Sequence, residues 1–401
     1  MADGDRALAG LTVLEAADTP GAAFAASLLA DFGAEVIVLE PPGGSSLRRL
    51  GGPAVRQVWW PILARNKLSL AIDPSRPAAD EVLRRLAAAA GLLVAGPDGG
   101  DGPAAAMAAG IERQPTRPPT LAVVPAGYDR PEAWPWSIGA PFSAAVSGMM
   151  ALTGWPDGPP MEPEFPLAEY LAGLMGAAHA LLRLRSARLA GETAELPPFP
   201  MHLAVQRMIE WQTIVATTRG SAELRAGNRF PMNAGIGNIF ESKDGRLLAC
   251  SAANESVAGR LLRMIGGDEL RNDPRFNTAA ARDRNMDAIY PILSAWMAAR
   301  TADEIQRLAA EHDVVIGPIY RTAEALEDPH VAARGNIVTL ERPDGRPLPM
   351  PAVLPRMSGI RTEVDRIGPA PGVDSPAVLE KLGYAQAEIA ALKRDGVLWA
   401  A

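Results

Sequence analysis

The stretch Leu11-Thr-Val-Leu-Glu-Ala-Ala-Asp-Thr-Pro-Gly-Ala-Ala-Phe-Ala-Ala-Ser-Leu-Leu-Ala-Asp-Phe-Gly-Ala-Glu-Val-Ile-Val-Leu-Glu40 decides the fold class. Its first five residues are a short apolar run of β character. A small-residue turn, Asp18 to Gly21, leads into a helical pattern from Ala22 to Phe32. Gly33 stops that helix, and 34–40 reads as a second strand. Strand, helix and strand within about 30 residues make a βαβ unit, the usual opening of a parallel α/β sheet. The first turn lacks Gly-x-Gly-x-x-Gly, so the nicotinamide-binding fingerprint is absent. Glu40 ends the second strand where such folds hold a ribose; the plainer reading is a solvated edge.

The chain beyond repeats the same alternation. A Gly/Ser loop at 41–46 precedes Arg48 and Arg49, and the turn Arg65-Asn66-Lys67 feeds a strand that ends near Asp73. A helix at 78–90, a strand at 92–94 and a strand at 121–124 follow, the last running into Gly127 and Tyr128. The Ala/Gly/Pro-rich piece 96–119 reads as a loosely ordered connector around one short Ala helix. Farther on, 235–254 reads as a hairpin turning at Lys243-Asp-Gly245. Helices are expected near 255–265, 285–299 and 302–312, and a closing helix pair near 375–393.

Pro166-Leu-Ala-Glu-Tyr-Leu-Ala-Gly173 begins a run to Gly191 with Leu171, Leu174, Met175, Ala178, Leu181 and Leu182 at helical spacing. A proline at its start, arginines in its last turns and a closing glycine predict one buried helix of about 24 residues. Glu169 is the only acidic residue from Phe165 to Ala190 and falls in the first turn. There, converging backbone N–H groups favour a carboxylate anion. Two readings fit: complement to the helix dipole, or a carboxylate held for chemistry. Gly173 and Gly176 leave room for a backbone or a ligand to approach.

The 401 residues are 48% hydrophobic and 21% charged, ordinary globular values with room for two or three domains. A net charge of -7 argues against nucleic acid, whose phosphates need clustered Lys and Arg. The single cysteine, Cys250, forbids an internal disulfide and points to a reducing compartment. Four scattered histidines give no zinc spacing. The start lacks a hydrophobic signal core, and the longest apolar runs fall short of a membrane span. The expectation is a soluble, cytoplasmic protein with no membrane or nucleic-acid partner.

Five motifs run in order along the chain: Leu28-Leu-Ala-Asp-Phe-Gly-Ala-Glu-Val-Ile-Val-Leu-Glu-Pro41, Arg65-Asn-Lys-Leu-Ser-Leu70, Ser147-Gly-Met-Met-Ala-Leu-Thr-Gly154, Arg225-Ala-Gly-Asn228 and Glu327-Asp-Pro-His330. In that order they resemble the family III CoA-transferases, the group that includes the α-methylacyl-CoA racemases. The resemblance implies a Rossmann-like large domain with a parallel sheet, from 1–200 and 325–401. It further implies a connecting helix at 201–225, a smaller α/β domain at 226–324, and an interlocked dimer. It places Glu169 where the family has its catalytic aspartate, with Gly173 four residues later. A carboxylate there exchanges CoA between an acyl-CoA and a carboxylic acid through an anhydride and an enzyme thioester. Arg48, Arg49, Arg65, Asn66, Lys67, Gly127, Tyr128 and Gly173 are the expected CoA and substrate contacts, Lys67 and Arg65 for the diphosphate. No metal or cofactor is called for, because coenzyme A is itself a substrate. Three departures stand out: Thr19-Pro20 in the first loop, Val94 to Asp98 without the family's CoA-binding Asn-Phe, and no full glycine-rich loop at 233–238. The alternatives are a catalytically lapsed subunit paired with a homologue, or a racemase; the histidine base of the racemases is replaced by Tyr128.

Overall fold

The computed structural model describes residues 6–96, 102–127, 142–220, 225–229 and 235–399. The chain forms two compact units. The larger comprises 1–150, 162–222 and 334–401, and the smaller 151–161 and 223–333.

In the larger unit the expected alternation is realised as β1 (Thr12–Ala17), α1 (Pro20–Asp31), β2 (Glu35–Glu40), α2 (Pro53–Leu63), β3 (Leu68–Ile72), α3 (Ala79–Ala89), β4 (Leu92–Gly96), α4 (Pro103–Glu112) and β5 (Thr120–Val124). Two single-turn helices, α5 (Ser143–Val146) and α6 (Met149–Leu152), precede α7 (Leu167–Ala190), β6 (Phe199–Pro200), α8 (Met201–Met208) and α9 (Glu210–Arg219). In the smaller unit lie β7 (Ile236–Glu241), β8 (Leu247–Ala252), α10 (Glu255–Asn272), α11 (Ala279–Arg284), α12 (Met286–Ala298), α13 (Ala302–Glu311), β9 (Ile316–Pro318), α14 (Thr322–Glu327) and α15 (Pro329–Ala333). The chain then returns to the larger unit with β10 (Ile337–Glu341), β11 (Pro347–Pro351), α16 (Ser375–Lys381), α17 (Gln386–Arg394) and β12 (Leu398–Trp399).

The large sheet has the order β12-β3-β2-β1-β4-β5-β6. All pairs are parallel except β12, which runs antiparallel to β3 through Leu398 opposite Ile72. Strands β1, β2 and β4 are buried along nearly their whole length, as strands covered on both faces must be. Strand order reverses between β1 and β4, the switch point at whose carboxyl edge doubly wound folds bind their ligands. One face of the sheet carries α1, the other α3, α4 and the C-terminal helices. The Rossmann-like α/β fold expected from the opening stretch is therefore present.

Helix α7 runs 24 residues from Pro166 to Gly191, whose φ of 70° makes the left-handed stop. Its buried face differs from the one its leucines suggested. Ala168, Ala172, Gly173, Gly176, Ala177 and Ala180 are buried, whereas Leu174, Leu182 and Leu189 are 53–72% exposed. The cause is α1, whose own Gly21, Ala22 and Ala25 are buried: two helices of small residues pack backbone to backbone.

The short Ala helix expected within 96–119 is α4, and its wholly buried Met107 and Ile111 pack it into the core rather than leaving it loose. One expectation about the helices needs correction. The single connecting helix at 201–225 is two helices parted at Ile209, both in the larger unit. Met201 and Ala204 belong to that unit's core, which holds the segment against it. In the smaller unit, β7, β8 and β9 form an antiparallel sheet under α10, α12 and α13, and the helix expected at 255–265 ends there as expected, at Gly266 and Gly267, beyond which α10 resumes to Asn272.

Candidate active site

Glu169 occupies the first turn of α7 and is 6% exposed. It lines a cleft of about 280 Å³ with Pro20 of α1, Leu50 and Gly51 of the loop between β2 and α2, Trp59 of α2, and the segment Glu162 to Pro166. The N-termini of α1 and α7 thus flank one cleft. Each first turn presents backbone N–H groups without intrahelical acceptors, and both dipoles favour negative charge. Contact between the helices is tight at this point. A Cβ on Gly21 would come 2.8 Å from the backbone oxygen of Glu169. Beside Glu169, Tyr170 has its phenol pushed above the usual range, first by burial and then by the charge of Glu169.

The neighbouring switch point is also built of small groups. Thr19 is the N-cap residue of α1, yet its buried hydroxyl has no hydrogen-bond partner among the described residues. A Cβ on Gly96, at the end of β4, would come 2.6 Å from that hydroxyl oxygen. Asp18 receives a hydrogen bond from Ser46 at 2.6 Å, tying the β1 turn to the loop after β2.

Most of the expected cationic contacts are engaged within the protein. Lys67 is wholly buried; its ammonium donates to Glu15 at 2.7 Å and to the Ala23 carbonyl at 2.8 Å. Burial pushes Lys67 down and Glu15 up. A diphosphate cannot reach an ammonium enclosed between β1 and α1, so the expected role of Lys67 is replaced by a structural one. Arg65 clamps Asp31 with Nε and Nη2 and donates to the Pro351 carbonyl at 2.6 Å. Asn66, in left-handed conformation at φ 60°, bridges Asp31 and the backbone at Glu363 and Asp365. These two fasten the C-terminal segment to the turn.

Arg48 chelates Glu40 through two 2.6 Å bonds and lies 3.9 Å over the Trp60 ring. Arg49 is exposed and makes no hydrogen bond or ion pair with any described residue, which leaves its charge available. Gly173 faces the backbone oxygen of Gly21, so its missing side chain serves helix packing rather than a ligand. Gly127 forms a buried turn after β5 with φ 84°. Tyr128 lies outside the described residues. The structure thus brings Glu169 to the loop after Arg49 and sets Lys67, Asn66 and Gly173 into the framework.

Pro20, Leu50, Trp59 and Phe165 were missed from the sequence as cleft walls. Pro61 hid the helix that carries Trp59, because an internal proline reads as a break.

The description "CoA-transferase family III" matches residues 8–375 of this chain. Succinyl-CoA–D-citramalate CoA-transferase of Chloroflexus aurantiacus is 32% identical over 98% of both chains. The beta subunit of succinyl-CoA–L-malate CoA-transferase from the same organism is 28% identical, again over 98% of each. Among solved structures, a CAIB/BAIF family protein from Brucella suis aligns with TM-score 0.78 and 24% identity over 94% of this chain and 99% of that one; this likeness bears on the fold. No helix among the described residues is long and apolar enough to cross a membrane. Matched almost from end to end, the chain belongs to CoA-transferase family III, and transfer of CoA between acids is its reaction.

Proposed function

We propose that Glu169 is the nucleophile of this CoA-transferase. The observation that carries the proposal is a nearly buried carboxylate in the first turn of α7, lining a cleft that the N-terminus of α1 also flanks. A Glu169 oxygen adds to the thioester carbonyl of the donor; the C–S bond breaks and the CoA thiolate leaves, giving a mixed anhydride. The thiolate then attacks the glutamyl carbonyl and releases the donor acid as its carboxylate. The incoming acid attacks the resulting glutamyl thioester and expels the CoA thiolate, giving a second mixed anhydride; the thiolate then attacks the new acyl carbonyl and Glu169 leaves as its carboxylate. First-turn N–H groups of the two helices suit the oxyanion formed at each step.

The reaction uses coenzyme A as substrate and calls on no cofactor. Arg49 is the cation we assign to the CoA phosphates, since its charge has no partner among the described residues. The exposed Leu174, Leu182 and Leu189 of α7 support the interlocked homodimer, in which a second copy would cover them. Burial pushes the Cys250 thiol up to about 12, which leaves it inert as we read a cytoplasmic protein.

Incubation with acyl-CoA donors, trapping with borohydride or hydroxylamine, and peptide mapping test the nucleophile. Modification is expected on Glu169 in the parent and none in a folded Glu169→Gln variant. An unmodified Glu169 across a broad donor panel, with CoA bound, refutes the assignment and favours a lapsed subunit paired with a homologue.

A further inference from the structure

Among the described residues that line the Glu169 cleft, the charges are of one sign. Three of its lining residues, Glu162, Glu164 and Glu169, carry carboxylates, and no Lys or Arg is among the described residues that line it. The remaining walls are apolar: Leu50, Trp59, Phe165 and prolines. Glu162 and Glu164 are exposed at the rim, while Glu169 is buried at the back. Arg49 is next in the chain to Leu50 but does not line the cleft. Arg48 is held by Glu40, and Arg65, whose charge reaches Tyr170, is held by Asp31.

We infer that the acyl group this enzyme carries on Glu169 has no second carboxylate. The inference rests on Glu169 being the nucleophile and deepens that reading. An acyl chain bound to Glu169 projects into a cleft of about 280 Å³, past apolar walls toward Glu162 and Glu164. An alkyl or aryl tail gains from those walls by burial. A terminal carboxylate needs a cation or clustered N–H donors to offset its lost hydration. The first-turn N–H groups lie beside Glu169, where the thioester carbonyl reacts, and toward the rim a terminal carboxylate meets two further carboxylates; like charges placed together are a recognised means of rejecting a wrong partner. The Chloroflexus relatives named for succinyl-CoA differ from this chain, on our inference, in what lines this cleft.

Calorimetric titration of a Glu169→Gln protein, in which no acyl exchange can occur, measures the preference as binding. Butyryl-CoA and succinyl-CoA are of similar length and differ in the terminal carboxylate. Butyryl-CoA should bind about tenfold more tightly, and added salt should narrow the ratio because the rim carboxylates are screened. Replacing Glu162→Gln and Glu164→Gln together should shrink the ratio several-fold. A structural fault from these substitutions would weaken both thioesters alike and leave the ratio where it was. Succinyl-CoA binding as tightly as butyryl-CoA, or a ratio unmoved by the rim substitutions, overturns the inference. The nucleophile is tested apart from this. Parent enzyme that transfers CoA from butyryl-CoA more readily than from succinyl-CoA supports both readings. Parent enzyme without transfer or trapping counts against Glu169 as nucleophile, and the binding ratio still decides the selectivity of the cleft.

Discussion

Replacing Gly173 by alanine tests how the site is held, because the substitution adds one methyl group at the closest approach of α1 and α7. A Cβ there would penetrate the contact distance of the Gly21 backbone oxygen and lie 3.1 Å from Phe24 Cδ1 and 3.2 Å from the Ala25 nitrogen. Two of these three neighbours are backbone atoms, so no side chain can swing aside; α1 itself must move. Overpacking of this kind costs about 1–3 kcal/mol. Alanine returns about 0.8–1.0 kcal/mol of helix propensity. The clash against backbone belongs in the upper part of its range, leaving a net loss of about 1–2 kcal/mol. Gly176 is the matched control one turn on. A Cβ there meets only side-chain carbons of Val123 and Leu121, at 3.3–3.7 Å, so Gly176→Ala should be neutral or stabilising. Thermal unfolding followed by circular dichroism should place Gly173→Ala roughly 2–8 °C below the parent and Gly176→Ala at or above it. Because α1 also flanks the cleft, its displacement should slow CoA exchange in Gly173→Ala by up to about a hundredfold, as for a 1 Å misplacement. Equal stability of the two alanine variants would refute backbone contact as the reason for Gly173.

Two further predictions concern the framework. Lys67→Met leaves Glu15 buried without its partner and should cost about 3–5 kcal/mol in urea denaturation, whereas Glu15→Leu with Lys67→Met should recover most of it. A double variant that folds yet no longer binds CoA would return Lys67 to the site. In the smaller unit, carboxyls with depressed values set an acid limit. Glu255 is lowered first by its hydrogen bond from Arg282, Glu304 by the Thr301 backbone N–H, and Asp244 by the Ser242 hydroxyl. Each binds its proton less readily folded than unfolded, so its contribution is present above the ordinary values of 4.5, 4.5 and 3.8 and is lost as pH falls through the folded values. Scanning calorimetry should show the unit's melting temperature flat above about pH 5 and falling below about pH 4; a fall beginning nearer neutrality would contradict this assignment.

What the sequence made legible follows from what is local. The βαβ opening and the caps of α7 were readable because turn residues and periodicity act within a few residues of each other. The partners of charged groups were not. Arg65, Asn66 and Lys67 look alike on the page, a polar turn beside a strand. In the fold they face Asp31, backbone carbonyls far along the chain and Glu15. Periodicity likewise marked the leucines of α7 as core, since hydrophobicity scales rank Leu above Gly. Yet a helix face packed against another backbone selects the smallest side chains, and only the position of α1 reveals that. Glu169 was legible as a lone acid in a first turn, whereas its cleft was not, because Trp59 and Leu50 reach it from separate elements.

Glu40 shows how the framework reaches the chemistry. At the end of β2 it stands where a dinucleotide fold would offer an acid to a ribose, but it is fully buried. Its oxygens accept from Ser45 N at 2.7 Å, from Arg48 twice at 2.6 Å, and from Ser69 Oγ at 2.5 Å. Arg48 continues to the Pro369 carbonyl, and Ser69 Oγ accepts from Gly372 N. One carboxylate thereby joins β2, β3, the loop from Ser45 and the returning C-terminal segment. That loop ends in Leu50 and Gly51, the wall of the cleft opposite α7. A wall held by charge-assisted bonds on a fully buried acid is fixed before any substrate arrives, which is what acyl transfer to a single carboxylate requires of its surroundings. The acid that could have held a ribose instead holds the site.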